Sequence, residues 1–259
     1  KPFLGGKKIL KNKFILSFGY IMDKIKVTLI IPTLNEIQGL KLMLPRIDKS
    51  LFEEIIVMDA QSTDGTVEYI KSFDDIKLVT QLSKGLTAAM VEAIDIVKTD
   101  FVIEFSPDNN CTPEELPLIV EKLNEGYEIV VISRYLDDAV SEDDNIITGF
   151  GNWMFSKLIR HLGKFPVTDA LTMYRGYKVS IVKDPLFKKY LSTGHIFEPL
   201  ISAYGNLMNY KYHEIPGTEH KRIGGEAITD NKLNVLKAGF AILIIILRLY
   251  FKKFLKITI

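Results

Sequence analysis

Residues 101–115 read FVIEFSPDNNCTPEE, an apolar run that gives way to a polar loop and then to a helix start. The run from Phe101 to Phe105 has the apolar character of a buried strand. Pro113 with two following acids is typical of the first turn of a helix, and we expect Thr112 to cap that turn. A buried strand that passes through a polar loop directly into a helix predicts one unit of a parallel α/β sheet.

The same alternation of apolar runs and helical patterns recurs along most of the chain. Helical patterns begin near Glu36, Gly65, Lys84 and Pro113. Because β-branched runs that alternate with helices are typical of βαβ units, we expect an α/β fold in which helices cover both faces of a mostly parallel sheet. Besides FVIEF, the predicted strands are VTLII at 27–31, EIIVM at 54–58, IKLVT at 76–80 and EIVVI at 128–132.

Cationic side chains concentrate at the two ends of the chain. Residues 1–27 hold seven lysines against Asp23, and residues 232–259 hold six lysines and arginines with no acid, although the net charge of the chain is only +1. We therefore divide the chain into a basic extension at 1–26, an α/β domain at 27–231 and a basic, apolar helix at 232–259. Basic ends on an acidic body favour contact with an anionic membrane surface over nucleic acid, which needs a basic face on the folded body. Solvated tails are the alternative.

The C-terminal stretch has an uninterrupted apolar core only from Ala238 to Leu247, about half of what a helix needs to cross a bilayer. We expect a peripheral, interfacial helix whose cations meet lipid phosphates at the cytoplasmic face of a membrane; a buried core helix is the alternative. Those cations are Arg248, Lys252, Lys253 and Lys256. At the other end, Met22 is a candidate start, with residues 1–21 as an extension. The single Cys111 excludes an internal disulfide and a cysteine zinc cluster.

Polar clusters follow four of the five predicted strands at the point where each strand ends. The clusters are PTLNE at 32–36, DAQSTDGT at 59–66, SPDNN at 106–110 and SRY at 133–135. Because the carboxyl ends of parallel strands meet at one edge of the sheet, we expect these side chains to form one ligand site there.

These motifs resemble family 2 glycosyltransferases of the GT-A fold. IIPTLNE, IIVMDAQSTDGT, KGLTAA and the cluster after the fourth strand are similar to the nucleotide-sugar half of that family. SRY, TDALTMYRGYK and EIPGTEHKRIGGE are similar, more narrowly, to the dolichol-phosphate mannosyltransferase branch. The resemblance covers residues 27–227 and implies a Rossmann-like GT-A domain, a UDP- or GDP-linked sugar donor and a bound Mg²⁺ or Mn²⁺.

The loops after the first two strands are implied to bind the donor nucleotide. Their free backbone N–H groups and side-chain acceptors can hold a base and ribose, and Asp59 is placed to accept from a base N–H; an ordinary capped turn is the alternative. Lys84 begins a helix and can meet the donor diphosphate, or can simply be solvated. The implied donor-binding residues are Pro32, Thr33, Asn35, Glu36, Asp59, Ser62, Lys84, Ser106 and Asp108.

The opening loop corresponds to the Asp-x-Asp metal site of the family, with one departure. Ser106 stands where the family has its first acid, and Asp108 matches the second. Asn110 can add an amide oxygen, so the implied metal ligands are Asp108 and Asn110. One carboxylate attracts a dication less than two do, so we expect the cation to bind mainly together with the donor diphosphate. A capping loop without metal is the alternative.

The acceptor side of the site rests on three arginines and two acids. Arg134, Arg175 and Arg222 fall in motifs that face phosphate groups in the resembling branch, and a phosphate acceptor is already an anion that needs no general base. A sugar hydroxyl would instead need Asp169 or Glu198 as a base. Asp169 can otherwise pair with Arg175 or orient its loop, and Glu198 can form a structural ion pair.

The resemblance thus implies an inverting hexosyltransferase that moves a sugar from a nucleoside diphosphate to a polyprenyl phosphate, either dolichyl or undecaprenyl phosphate. Catalysis would rest on Asp108, Arg134, Asp169, Arg175, Glu198 and Arg222. Two alternatives remain open: a sugar hydroxyl acceptor in surface polysaccharide synthesis, and a nucleotide-sugar binding protein without catalysis.

Overall fold

The computed structural model describes residues 25–191, 197–224 and 232–255. Nearly all of the predicted basic extension, and Lys256, therefore lie outside the described residues. The strands, in chain order, are β1 (Val27–Thr33), β2 (Glu54–Asp59), β3 (Lys77–Thr80), β4 (Phe101–Glu104), β5 (Ile129–Ser133), β6 (Val140–Ser141), β7 (Arg175–Lys178), β8 (Tyr212–Pro216) and β9 (Thr218–Glu219).

A mostly parallel sheet forms the centre of the molecule, as the sequence predicts. Its order within the described residues is β3-β2-β1-β4-β7-β5-β8, and β6 pairs separately with β9. All five predicted strands are present. The sequence pattern does not predict β7, which runs antiparallel between β4 and β5, or β8, which runs parallel to β5 at the edge. Both are short and carry charged or polar side chains, so neither stands out as an apolar run.

Helices cover both faces of this sheet. Leu29 and Ile31 face one core and Ile30 faces the other, because successive strand residues point to opposite faces. The α-helices are α1 (Ile37–Met43), α2 (Thr66–Ile70), α3 (Leu86–Ile96), α4 (Leu116–Asn124), α5 (Ile146–Arg160), α6 (Val179–Lys183), α7 (Pro185–Leu191), α8 (Phe197–Met208) and α9 (Lys232–Phe254). The first core packs under α1, α2 and α4, and the second under α3 and α5 to α9.

The helix predicted to begin at Pro113 begins with a 3₁₀ turn. This turn spans Pro113–Glu115, and α4 follows from Leu116. Pro117 lies in the first turn of α4, where its missing N–H costs nothing. The Thr112 side chain does not cap the turn, contrary to expectation; its hydroxyl donates to the carbonyl of Thr218 at 3.3 Å. The cap is lost because this hydroxyl ties the loop to β9 instead.

The order of the strands opens a crevice between β1 and β4. The chain moves outward from β1 through β2 to β3 and then returns to β4 on the other side of β1, and ligands of open α/β sheets bind at such a reversal. Gly39 of α1 closes one side of this crevice. A Cβ at Gly39 would lie 2.1 Å from the carbonyl oxygen of Pro107, so only glycine lets α1 approach the loop that carries Asp108.

The C-terminal helix α9 packs on the body of the protein along one side. Ile242, Ile245, Ile246 and Leu249 are buried in the second core, and the Tyr250 hydroxyl donates to the carbonyl of Leu158 at 2.7 Å. The described part of the chain contains no helix with the length and hydropathy that a membrane crossing needs.

Candidate active site

A cleft of about 510 Å³ opens where β1, β4 and β5 end. The polar clusters that follow the predicted strands converge on it, because parallel strands deliver their carboxyl ends to one edge. The second cluster contributes Ala60 to the wall rather than Asp59. Of the predicted site residues, the cleft is lined by Pro32, Thr33, Glu36, Ser106, Asp108, Asn110, Arg134 and Arg222.

Asp108 lies at the bottom of the cleft and is fully engaged by neighbours. It is 1% exposed, and its Oδ1 accepts from the backbone N–H of Asn110 at 3.1 Å. Its Oδ2 lies 2.7 Å from Nη2 of Arg222, and its carbonyl accepts from the N–H of Ile223 at 2.8 Å. The segment after β9 is therefore held against the loop after β4 by both backbone and side chain.

Glu36 faces the same guanidinium from the loop after β1. Its Oε1 lies 3.9 Å from Nη1 of Arg222, whereas its Oε2 is buried without a hydrogen-bond partner. Burial, and next the charge of Asp108, raise the pKa of Glu36 to about 7, against the opposing effect of Arg222. Glu36 thus lies on the cleft wall with one carboxyl oxygen that has no hydrogen-bond partner, and its carboxyl group titrates near neutral pH.

The two residues predicted to bind a divalent cation, Asp108 and Asn110, both face the guanidinium of Arg222, as does Glu36. Asn110 contributes its Oδ1 at 3.4 Å from Nη2 of Arg222. Among the described residues no group of three His, Cys, Asp or Glu side chains could hold a metal, and Ser106 offers a hydroxyl in place of a charge. These residues fit a hard cation only if Arg222 moves away and further oxygens complete the coordination.

The cleft wall carries more acids than bases. Its carboxylates are those of Glu36, Asp108, Asp143, Asp144 and Glu219, and its cations are Arg134 and Arg222. A diphosphate entering this cleft would meet excess negative charge. An added dication would offset that charge, which favours its arrival together with the phosphates.

Arg134 follows β5 and is clamped by two carboxylates. Its Nε donates to Oδ2 of Asp169 at 2.6 Å and its Nη2 to Oδ1 at 2.9 Å, a bidentate pair. Its Nη1 donates to Glu219 at 3.1 Å. Its planar group is therefore fixed in orientation, and only the remaining N–H positions can reach a ligand.

Asp169 is fully buried and lies behind Arg134 rather than on the cleft wall. Its Oδ1 also accepts from the N–H groups of Leu171 and Thr172, and its Oδ2 from the N–H of Arg134. Burial alone would raise its pKa, but the Arg134 charge and these hydrogen bonds hold the pKa of Asp169 below its ordinary value. Asp169 therefore pairs with Arg134. The alternative pairing of Asp169 with Arg175, which the sequence left open, is wrong.

The structure does not bring Arg175 and Glu198 to the cleft. Arg175 is fully buried in β7, where its guanidinium donates to the carbonyls of Thr172 and Glu198 and to the Ser202 hydroxyl. The expected phosphate contact is thus replaced by a structural role, because the register of β7 turns Arg175 inward. Glu198 does not line the cleft either, and its Oε1 is buried without a partner.

Four predicted donor-binding residues lie behind or beside the cleft wall. Asn35 and Ser62 tie two loops together, since the N–H of Asn35 donates to Oγ of Ser62 at 2.9 Å. Asp59 is 2% exposed and accepts from the N–H of Ser62 at 3.0 Å. Lys84 is exposed just before α3 and does not line the cleft. Their nucleotide contacts stay predictions.

Some residues of the cleft wall were missed. Gln81 directly follows β3, and the strand-end rule would have found it had it been applied to that strand. Its side chain donates to the carbonyl of Gly85 at 2.8 Å and shapes the turn into α3. Asp143 and Asp144 come from a segment without an apolar pattern, so no sequence signal places them here. Glu219 lies in the motif EIPGTEHKRIGGE at 214–226, three residues before Arg222, and that motif could have indicated it.

Comparison with known proteins connects this geometry to a family. The model of glycosyl transferase family 2 matches residues 28–185, more than half of the chain. A dolichol-phosphate mannosyltransferase of Pyrococcus furiosus is 28% identical over 168 residues, which are 62% of this chain and 44% of that protein. An undecaprenyl-phosphate 4-deoxy-4-formamido-L-arabinose transferase of Aeromonas hydrophila is 27% identical over 167 residues, or 60% of this chain and 50% of that protein. The chain spans about half the length of these curated relatives.

Solved structures show the same fold at lower identity. A glucosyl-3-phosphoglycerate synthase from Mycobacterium tuberculosis, solved with Mn²⁺, uridine diphosphate and phosphoglyceric acid, superposes with a TM-score of 0.61 at 17% identity. The superposition covers 87% of this chain and 78% of that one. It confirms the GT-A type of α/β fold, and the family match confirms the resemblance that the motifs indicate: the chain belongs to glycosyl transferase family 2.

Proposed function

We propose that this protein transfers a sugar from a UDP- or GDP-linked donor to a polyprenyl phosphate, with inversion at the anomeric carbon. Two curated relatives are named for transfer involving dolichol phosphate and undecaprenyl phosphate, which supports this class of acceptor. The proposal rests on one observation: how Asp169 and Glu198, the two acids expected to serve as a general base, are bonded and where they lie.

Neither of those acids is free to take a proton from an acceptor. Both carboxylate oxygens of Asp169 accept hydrogen bonds from Arg134, and Oδ1 also accepts from the backbone N–H groups of Leu171 and Thr172. Glu198 lies away from the cleft wall. An acceptor hydroxyl would need such a base, whereas a phosphate is already ionised at neutral pH.

The reaction then balances without proton transfer. A phosphate oxygen of the acceptor forms a bond to the anomeric carbon, and the bond from that carbon to the donor diphosphate breaks. The nucleoside diphosphate leaves with the electron pair. What the protein supplies is position and positive charge, from Arg222 and from the N–H positions of Arg134 that its carboxylates leave open.

A divalent cation, Mg²⁺ or Mn²⁺, would supply further positive charge at the leaving diphosphate. Asp108 and Asn110 would hold it, with Ser106 alongside, once Arg222 turns from Asp108 toward the phosphates. The acidic cleft wall supports this assignment, because two guanidinium groups do not balance its carboxylates and a diphosphate.

The proposed acceptor places the protein peripherally at the cytoplasmic face of a membrane. Its lipid chain lies in the bilayer, while nucleotide donors are soluble. The exposed cations Arg248 and Lys253 of α9 support contact with lipid phosphates.

A sugar hydroxyl acceptor is the second candidate, favoured by one observation. Glu36 and Asp143 are cleft carboxylates that could take a proton, and the pKa of Glu36, which burial raises to about 7, suits a general base. On this alternative the product would be a glycan of a surface polysaccharide.

One labelling experiment separates these possibilities. The protein is incubated with radiolabelled UDP- and GDP-sugars and either undecaprenyl phosphate or a soluble glycan. Label that enters the organic phase only with the lipid phosphate supports the proposal. Label that enters only the aqueous glycan contradicts it, and donor binding without transfer to either acceptor favours a binding protein.

A further inference from the structure

The first two turns of α5 expose a row of apolar side chains. Their spacing places them on one side of the helix, while the opposite side packs into the protein. A surface helix ordinarily turns polar residues to water, so this outward side indicates a partner. The exposed residues are Ile146 at 92%, Ile147 at 64%, Phe150 at 61% and Trp153 at 56%.

Helix α9 packs beside α5 and carries a second row of exposed apolar side chains. A Cβ at Gly239 would lie 3.8 Å from the Phe155 ring, an ordinary van der Waals contact, so α9 packs beside α5 at Phe155. On α9 the residues Leu236, Phe240, Leu247 and Phe251 are exposed at spacings that keep them on one side of the helix.

The two helices carry positive charge and no negative charge. No Asp or Glu occurs in 146–160 or in 232–254, although a quarter of the whole chain is charged. Lys157 lies over the Trp153 ring, with its Nζ 5.0 Å from the ring centroid. An apolar strip with an interfacial tryptophan and flanking lysines matches the boundary between lipid chains and anionic headgroups, and it fits a protein core or a second copy less well.

We propose that this docking face, formed by the exposed apolar residues of α5 and α9 named above, inserts into the headgroup region of an anionic lipid bilayer. The inference deepens the proposed function, on which it rests for the nature of the acceptor. A bilayer at this face would bring the phosphate of a lipid acceptor to the mouth of the cleft.

The position of α5 relative to the cleft supports that orientation. Asn145 and Thr148 line the cleft and flank Ile146 and Ile147 in the chain, so the docking face begins at the rim of the cleft. The acids just before α5 are held by the body of the protein. Asp143 accepts from Asn110 at 3.1 Å, and Asp144 accepts from Tyr135 and Thr148.

Trp153 is the only tryptophan in the chain, so its fluorescence reports on the docking face alone. The full chain is mixed with vesicles of phosphatidylcholine with or without phosphatidylglycerol, including vesicles with brominated acyl chains. We expect anionic vesicles to shift Trp153 emission to shorter wavelength, bromine to quench it, and affinity to be about tenfold or more above that for neutral vesicles. Emission unchanged by anionic vesicles overturns the inference.

Paired variants assign the effect to this face. Ile147→Ser with Phe150→Ser keeps Trp153 and should lower vesicle affinity about tenfold or more, because two apolar side chains no longer leave water. Leu118→Ser, on the exposed side of α4, is the matched control and should bind as the parent does. Equal binding by both variants overturns the inference, and so does a lipid-free dimer in sedimentation velocity whose Trp153 is already shielded from iodide.

Transfer to a short, water-soluble polyprenyl phosphate separates this inference from the proposed function. Ile147→Ser with Phe150→Ser should retain that activity, since neither side chain lines the cleft. Vesicle binding without any transfer would contradict the proposed function alone. Transfer without vesicle binding would contradict the docking face alone.

Discussion

Arg222 Nη2 lies 2.7 Å from Asp108 Oδ2, so a guanidinium occupies the carboxylate that the motif assigns to a divalent cation. The amide oxygen of Asn110 and one carboxylate oxygen of Glu36 face the same group at 3.4 and 3.9 Å. On the proposed function, Arg222 and a divalent cation would therefore compete for one set of oxygens. With Ser106 in place of the family's first acid, that competition would decide when a cation can bind.

Replacing Arg222 should strengthen metal binding by the donor-free protein. Arg222→Ala removes a charge-assisted hydrogen bond to Asp108, so we expect Mn²⁺ affinity without donor to rise about tenfold or more, while transfer falls. Titration of free Mn²⁺ by electron paramagnetic resonance measures the affinity. Arg46→Ala, which breaks an ion pair with Glu114 outside the cleft, is the control. An affinity that stays the same or falls in Arg222→Ala contradicts the competition.

Removing the metal should stop transfer. Chelation by EDTA in the presence of donor and acceptor leaves the leaving diphosphate without its added positive charge, and excess Mg²⁺ or Mn²⁺ should restore the rate. Asp108→Ala should be inactive under both conditions. A transfer rate that EDTA does not change would remove the cation from the account.

Gly39→Ala should displace the loop that carries Asp108. The new Cβ would lie 2.1 Å from the Pro107 carbonyl, so helix and loop must separate, at about 1–3 kcal/mol of unfolding free energy. We expect weaker donor binding as well. Gly151→Ala in α5 is the control, because no atom lies within 4 Å of its added Cβ. Urea unfolding of both variants checks the difference, and equal stability would show that the close approach does not matter.

The raised pKa of Glu36 gives stability a defined pH dependence. Its carboxyl has an ordinary pKa of 4.5 and a folded-state pKa of about 7, so the folded protein keeps a proton that the unfolded chain releases. This contribution is complete below pH 4.5 and is lost as the pH rises through 7. Relative to Glu36→Gln, the parent should lose roughly 2–3 kcal/mol of unfolding free energy between pH 5 and 8.

Urea unfolding at several pH values measures that difference. Asp75→Asn serves as the control, because the hydrogen bond from Lys49 holds the pKa of Asp75 below its ordinary value. If the parent and Glu36→Gln lose stability in parallel over this range, Glu36 does not titrate as described.

Asp169 should act through Arg134 and not as a proton acceptor. If so, Asp169→Asn weakens acceptor binding because Arg134 loses its fixed orientation, and it adds little to the defect of Arg134→Lys. The test is a double-mutant cycle on kcat and KM for the acceptor. A general base would behave otherwise: Asp169→Asn would lower kcat by about 10²–10⁴-fold even in the Arg134→Lys background.

The parallel strands could be predicted because a strand that is buried on both faces appears in the sequence as a continuous apolar run. Val57 and Ile30, for example, are fully buried although they pack into different cores, so their strands read as continuous apolar runs. β7 has no such apolar run. It begins with Arg175, whose burial depends on hydrogen bonds to carbonyls that only the folded chain brings near.

Only the site residues that follow the ends of predicted strands could be predicted from the strand pattern. Asp108 and Arg134 directly follow predicted strands, and the topology brings them to one cleft. Arg222 meets Asn110 across 112 residues, and its position came from the family motif. Glu219 lies in the same motif, but its ion pair with Arg134 could not be predicted, because that pair depends on the register of a two-residue strand.

The central claim is that the acceptor group is a phosphate and needs no base. The direct measurement offers the protein undecaprenyl phosphate or undecaprenol, which share one lipid chain and differ only in the group that attacks. The account predicts transfer to the phosphate and none to the alcohol, with Asp108→Ala inactive toward both. Transfer to the alcohol at a comparable rate would contradict it.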